Sequence, residues 1–124
     1  MVGDFGCGEC LLGQVLPGNL VIGLDHVAAD EGVVVCDMSS TPLEDVSLDV
    51  AVFSLSLVGV NWRDYLKEAY RTLKPYGHLF IAEPEKKWRD RMEELKEAVE
   101  VAGFQIIGDV RQRYIFLYLT ATKA

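Results

Sequence analysis

Short apolar runs alternate with amphipathic stretches along the chain, the pattern expected of a βαβ sheet. Met1–Phe5 predicts a first strand and Glu9–Leu16 a short helix, stopped by Pro17-Gly18. Leu20–Leu24 predicts a second strand and Val33–Cys36 a third. Between them HVAADEG is too short for a full crossover helix, so one helix of the usual unit is reduced or absent. Asp49–Leu57, DVAVFSLSL, is the most strand-like run and is expected at the centre of the sheet. A helix follows from about Asn61 to Leu73. Trp62, Tyr65, Leu66, Ala69 and Leu73 share one of its faces, and Asn61 suits an N-cap. KPYG is expected to end that helix, since Pro75 cannot continue it and Gly77 is free to turn. HLFIAE, residues 78–83, predicts another strand, and the apolar spacing over Trp88–Ala102 predicts another helix. Two last strands, Phe104–Val110 and Tyr114–Ala121, are joined by the short turn RQR and must be antiparallel. The fold class is α/β, a mostly parallel sheet with a C-terminal antiparallel hairpin.

Composition narrows the class. A chain of 124 residues, 50% hydrophobic and 25% charged, predicts a single globular domain over 1–124. No apolar run approaches the roughly 20 residues that cross a bilayer, and no basic-then-hydrophobic leader precedes Asp4. An intracellular protein with no membrane partner is expected. Cys7 and Cys10 form a C-x-x-C, but only Cys36, His26 and His78 remain to complete a zinc site, so no metal is expected. The two cysteines fit better as small packing residues of a tight turn. A net charge of −7 opposes unaided grip on a phosphate backbone, so any nucleic-acid role needs a local basic patch or help from elsewhere.

The chemistry begins in GDFGCGEC, residues 3–10. A dinucleotide fingerprint needs G-x-G-x-x-G after its first strand. Gly6 and Gly8 fill two of those positions, but Leu11 stands at the last. Glu9, in the first turn of the predicted helix, opposes a pyrophosphate, and no G-K-S/T of a P-loop follows. The acids suit a cation instead. Asp4, Asp25 and Asp37 end the first three predicted strands and collect at the carboxyl edge, where open α/β sheets bind ligands. S-adenosylmethionine lacks phosphate and carries a sulfonium and an ammonium. Its ribose diol and adenine are rich in donors, and a hydrogen bond to a charged acceptor is worth about 1.5–3 kcal/mol.

VGDFGCGE, then IGLDH, then VVCDMSSTPLEDVSLDVAVFSLSLVGVNWRDYLKEAYRTLKPYGHLFIAE resembles the class I S-adenosylmethionine-dependent methyltransferases. Within them the chain is most similar to the ribosomal RNA-processing group that includes nucleomethylin. The DFGCG turn, CDM with its following PLED, the phrase from Asp49 to Asn61 and the closing GFQI carry the likeness, which runs from about Val2 to Thr122. The resemblance implies a Rossmann-like sheet of seven strands in the order 3-2-1-4-5-7-6, the seventh antiparallel. It places Gly6, Cys7 and Gly8 beside the methionine part of the cofactor, with Asp4 in the same acidic turn. Asp25 would hold the ribose, Asp37 the adenine amino group, and Met38 would pack on the adenine ring. Ser54 would close the pocket next to the reacting methyl. The implied reaction methylates N1 of an adenine in large-subunit ribosomal RNA and leaves S-adenosylhomocysteine. Relatives carry a helical segment before the first strand that helps cover the cofactor. Here the chain starts at that strand, so a minimal, N-terminally short domain is expected, without the N-terminal helices. A partner or second subunit covering the cofactor is therefore one candidate, beside structured RNA. The implied location is the cytoplasm in a prokaryote and the nucleolus in a eukaryote. LKPYG stands where LKPGG is usual, a change expected to alter only a loop.

Methyl transfer from a sulfonium is an in-line displacement governed by proximity and alignment, so no catalytic triad is needed. An adenine N1 lone pair is already nucleophilic, and a paired base must first be flipped from its stack. The N-P-P-Y and D-P-P-Y phrases of exocyclic amine methylation do not occur. Ser54 and Asn61 are the catalytic candidates, with Ser56 nearby, although Asn61 also reads as a helix cap and Ser56 as strand alternation. His26 and His78 read as loop or surface residues. For substrate, Lys86, Lys87, Trp88 and Arg89 of KKWRDR follow the fifth strand at the carboxyl edge. Trp88 fits a buried helix face better, which would leave those charges as a solvated side; Arg111 and Arg113 are similarly open. Three functions remain: a ribosomal RNA methyltransferase, a small-molecule methyltransferase, and a non-catalytic cofactor-binding or partner module.

Overall fold

A computed structural model of the protein describes residues 1–8, 12–13, 20–29 and 31–124. The predicted helix Glu9–Leu16 and its Pro17-Gly18 stop lie outside the described residues, apart from Leu12 and Gly13, which are helical. Four strands come first: β1 (Val2–Phe5), β2 (Val21–Asp25), β3 (Val34–Val35) and β4 (Leu48–Ser54). Helix α1 (Trp62–Thr72) leads to β5 (Leu73–Pro84), α2 (Glu85–Trp88) and α3 (Met92–Val101). The chain closes with β6 (Gln105–Ile106), β7 (Arg111–Arg113) and β8 (Phe116–Thr122). The sheet order is β3-β2-β1-β4-β5-β8-β6, with β7 added on β8. Strands β1 to β5 are parallel and β8 runs antiparallel to β5, so the implied seven-position order holds with β8 in the seventh place.

Strand alternation sorts the sheet into two unlike faces. Phe5, Ala51, Phe53, Leu79, Ile81, Leu117, Leu119 and Ala121 are buried in one core cluster with Trp62, Leu66, Ala69, Leu95 and Val99 of the helices. Phe5 stacks on Phe53 at 4.9 Å, and Trp62 meets Trp88 edge to face at 5.1 Å. On the other face Val52, Phe80 and Thr120 stand in register, as do Ser54, Ala82 and Tyr118. Phe80 and Tyr118 remain half-exposed there.

Several boundaries differ from expectation: the Asp49–Leu57 strand stops at Ser54, and the Phe104–Val110 strand is reduced to Gln105–Ile106. KPYG lies inside β5 rather than ending α1: the pairing jumps from Leu48↔Leu73 to Val50↔His78, so the four residues form a bulge. Gly77 suits that bulge because a Cβ would stand 2.9 Å from the Lys74 carbonyl, and Tyr76, where glycine is usual, adopts a φ of 65°. The Trp88–Ala102 helix is broken after Trp88, whose carbonyl accepts the Arg91 N–H at 2.9 Å before α3 starts. RQR is itself strand β7, paired Arg111↔Tyr118 and Arg113↔Phe116, and the reversal falls one step later at Tyr114-Ile115. Pairing with β8, which no local preference of arginine or glutamine announces, makes these three residues a strand.

A second anchor fixes the loop leading into β4. Glu68 of α1 accepts the Thr41 N–H at 2.6 Å and its hydroxyl at 2.7 Å, and also receives the Arg71 guanidinium at 2.7 Å. Arg71 reaches on to the Leu43 carbonyl and the Asp45 carboxylate. Burial alone would raise the Glu68 carboxyl, but the bonds from Arg71 and Thr41 hold it below its ordinary value.

Candidate cofactor and substrate site

Strand β1 carries Asp4 between Gly23 of β2 and Val52 of β4, where the side chain is buried. Burial, with the Asp25 charge as a lesser cause, pushes its carboxyl up to about 6. The chain then turns at Gly6, whose φ is +75°, and the Gly6 and Cys7 N–H groups both donate to the Leu24 carbonyl, at 2.7 and 3.0 Å. A Cβ on Gly6 would stand 2.4 Å from Ser56 Cβ and 3.3 Å from Met38 Sδ, so only glycine fits. Gly8 (φ +55°) donates its N–H to Asp25 Oδ2 at 3.0 Å, and a Cβ there would meet nothing within 4 Å. The turn is thus tight on its inner side and open on its outer side.

At the end of β2, Asp25 Oδ1 accepts the His26 N–H at 2.7 Å, with His26 Nδ1 2.9 Å away. Beyond β3, Asp37 Oδ1 accepts the Ser39 N–H at 2.8 Å and hydroxyl at 2.6 Å, which hold the exposed carboxyl below its ordinary value. Met38 is buried against the inner side of the turn. A cavity of about 480 Å³ opens on the half-exposed sheet face, walled by Asp4, Gly6, Cys7, Leu12, Ser54 and Phe80 among others. The structure therefore gathers Asp4, Gly6, Cys7 and Ser54 around one space and ties Gly8 to Asp25. Asp37 follows along the same edge, on the far side of β2. Asn61 does not line the cavity; it precedes α1 without a side-chain cap bond, and its Oδ1 accepts the Tyr65 hydroxyl at 3.1 Å. Glu9 and Cys10 lie outside the described residues.

The KKWRDR segment is differently disposed. Trp88 is fully buried and donates its indole N–H to Glu83 Oε1 at 3.1 Å. Lys87 donates to the Leu57 carbonyl at 2.5 Å and pairs with Glu83 at 3.2 Å. Arg89 forks onto Glu85 at 2.9 Å through both nitrogens, and Arg91 onto Glu94. Among the described residues, Lys86 is the one cation of this segment with no carboxylate partner.

Ser56 is the residue sequence reasoning undervalued. Strand β4 ends at Ser54, Leu55 takes a φ of +58°, and Ser56 turns in against Gly6 instead of continuing the alternation. Its buried Oγ has no hydrogen-bond partner among the described residues. A buried hydroxyl without a partner marks a place where a ligand can supply one. Only the left-handed backbone at Leu55 reveals this, and a leucine gives no such signal.

The whole chain, residues 1–124, matches the model of a family described as hypothetical methyltransferase. The chain belongs to this methyltransferase family. Ribosomal RNA-processing protein 8 of Rattus norvegicus is 46% identical over 119 residues, covering 95% of the chain and 26% of that protein. The 25S rRNA (adenine(645)-N(1))-methyltransferase of Schizosaccharomyces pombe is 41% identical over 98 residues, covering 77% of the chain and 31% of that protein. The chain thus spans about a quarter to a third of the length of these two curated relatives. A solved SAM-dependent methyltransferase of Methanosarcina mazei superposes with a TM-score of 0.80 at 21% identity, covering 98% of this chain and 91% of that one. That likeness establishes the Rossmann-like methyltransferase fold. In this methyltransferase domain the acids at the ends of β1 and β2, with Asp37 just past β3, form an anionic rim beside an apolar-walled cavity. Such a rim can hold a cation and place a reactive carbon near Ser54. Among the described residues no helix is long and apolar enough to cross a membrane.

Proposed function

We propose that the protein binds S-adenosylmethionine at this edge and methylates N1 of an adenine in ribosomal RNA. The observation that carries the cofactor reading is the pairing of Asp25 with the Gly8 N–H beside an open backbone, continuous with the cavity of Asp4 and Ser54. The residues present suit the cofactor. Asp25 keeps lone pairs for ribose hydroxyls besides those given to Gly8 and His26. Asp37 is exposed for an adenine amino group, while the buried Met38 backs the glycine turn with a soft apolar side chain. Asp4, Gly6, Cys7 and Gly8 would flank the charged methionine end, and the Ser56 hydroxyl, without a partner among the described residues, stands behind the turn.

When bound, S-adenosylmethionine supplies an electrophilic methyl on a sulfonium. The chain's own contribution is alignment: β4 sets Ser54 in the wall of the cavity, and Val52, Phe80 and Ala82 supply the apolar surface against which a flipped base would lie. Ser54 can accept a hydrogen bond from the base and fix its in-plane rotation. The name of the Schizosaccharomyces pombe relative supports adenine N1 in ribosomal RNA as the acceptor, and work on ribosomal RNA would place the protein in the nucleolus of a eukaryote. An acceptor outside RNA, with the same cofactor site, is the second reading, supported by the net charge of −7.

Isothermal titration with S-adenosylhomocysteine tests the cofactor reading. Asp25→Asn is expected to weaken binding by about tenfold or more, the worth of a charge-assisted hydrogen bond. Absence of binding by the native chain would overturn it. Transfer of labelled methyl to large-subunit ribosomal RNA, against a panel of adenosine and small amines, separates the two acceptors.

A further inference from the structure

The basic side chains of this acidic protein are mostly spent internally. Arg63 and Arg91 share Glu94, Arg71 holds Glu68 and Asp45, Arg89 holds Glu85, and Lys87 holds Glu83. Among the described residues, Arg111 and Arg113 are the arginines with no carboxylate partner. Both are exposed on edge strand β7, and Asp109, which shares their cavity, pairs with neither. Their position is not arbitrary with respect to the site. The register Ser54↔Ala82↔Tyr118↔Arg111 puts these four on one row of the half-exposed sheet face. Three strand spacings, about 14 Å, separate Ser54 from Arg111.

A second cavity, of about 770 Å³, is walled by Arg111, Gln112, Arg113, Tyr118 and Thr120. Tyr118 and Thr120 also wall the Asp4–Ser54 cavity, so the two spaces adjoin across these residues. The hairpin tip adds a further exception. Tyr114 is 81% exposed at φ +57°, in a two-residue turn where glycine or asparagine is the comfortable choice. The Arg113 guanidinium lies 5.4 Å from its ring centre. An exposed aromatic held at a strained position, beside unpaired arginines, breaks local rules that a merely solvated turn would obey.

We propose that the β7–β8 edge is the docking surface for single-stranded RNA flanking the target nucleotide. Arg111 and Arg113 meet phosphates, Tyr114 and Tyr118 stack flanking bases, and the row to Ser54 leads the target base to the methyl. Exposed aromatics interleaved with cations are the recurrent platform for unpaired nucleic acid, because every base has a face to stack and every linkage a charge. The inference rests on the RNA reading above and assigns it a surface that KKWRDR, with every cation but Lys86 paired, does not provide.

Fluorescence anisotropy of a labelled twelve-nucleotide oligoadenylate, titrated with the full chain at several KCl concentrations, tests it. R111Q/R113Q is expected to weaken binding at least tenfold and to flatten the slope of log K against log salt by about 1.4, two phosphate contacts at about 0.7 each. Y114G relieves the turn and keeps the fold, yet is expected to weaken binding about fivefold or more. Neutralising lysines away from this edge, K67Q/K74Q, is expected to change neither quantity. S-adenosylhomocysteine affinity, read by titration calorimetry, should be the same in all four proteins. Equal binding by R111Q/R113Q and the native chain overturns the proposal, as does equal weakening by K67Q/K74Q, or no binding by the native chain. If the native chain binds oligoadenylate but not S-adenosylhomocysteine, the cofactor reading fails while the surface stands; loss of the arginine effect with intact cofactor binding is the reverse.

Discussion

Replacing Asp4 with asparagine should make the protein more stable and its cofactor site worse. Burial between β2 and β4, with Asp25 close by, raises the Asp4 carboxyl from an ordinary 3.8 to about 6 in the folded chain. An acid whose folded-state value lies above its unfolded value costs stability once it ionises. The cost is absent below about pH 3, grows as pH rises through 4 to 6, and is complete above about 7. A shift of about two units corresponds to about 3 kcal/mol at pH 7.5, falling to about 1 kcal/mol at pH 4.5. D4N removes the ionisation while keeping the shape, so its advantage over the native chain should widen by about 2 kcal/mol between those two pH values. Urea midpoints with an unchanged m value measure this directly. The same charge is what would draw the cationic end of the cofactor into the cavity. Native binding of S-adenosylhomocysteine should therefore strengthen as pH rises through about 6, and D4N should bind weakly with a flat profile. A stability gap that is constant from pH 4.5 to 7.5, or a D4N variant that is less stable at pH 7.5, would refute the reasoning. Such a trade of stability for a poised charge is common where a site needs one.

Two further outcomes follow from particular contacts. Gly6→Ala should abolish cofactor binding and cost about 2–3 kcal/mol, because the new methyl meets Ser56 Cβ at 2.4 Å and the backbone sits at φ +75°; Ser56→Gly in the same chain should recover part of the stability. Glu68→Gln should cost about 2 kcal/mol, by weakening charge-assisted bonds to Arg71 and Thr41. Because the Glu68 carboxyl is held low in the folded state, its contribution is present above about pH 4.5 and fades as pH falls, so the native and E68Q midpoints should converge in acid.

The acid at the end of β1, the glycine turn and Asp25 were legible because each is a local requirement. A turn with φ of +75° and no room for a Cβ needs glycine wherever it occurs, and an acid closing a strand of a parallel sheet must face its carboxyl edge. The strand order was legible for a similar reason, since alternating apolar runs leave few ways to wind a sheet, and the resemblance chose among them. KKWRDR shows where such reading stops. Its six residues look like a basic patch, but whether a cation is available depends on which carboxylate the folded backbone brings to it. Glu83 and Glu85 stand four residues before Lys87 and Arg89, Glu94 three after Arg91, and among the described residues Lys86 alone is left without one. Cross-strand register is equally invisible along the chain. It alone puts Arg111, Tyr118, Ala82 and Ser54 in one row, and it turns RQR from a loop into a strand.

By itself, then, the order of residues determined the sheet, its carboxyl-edge acids and the kind of ligand they suit, because period, turn geometry and charge act over a few neighbouring residues. Only the tertiary structure decided which polar groups are spent and which are free: among the described residues Ser56 is left without a partner, Lys87 is consumed by the Leu57 carbonyl, and Arg111 and Arg113 stay open on the edge. Those outcomes depend on partners far apart in sequence, whose meeting is set by packing and register rather than by any local preference.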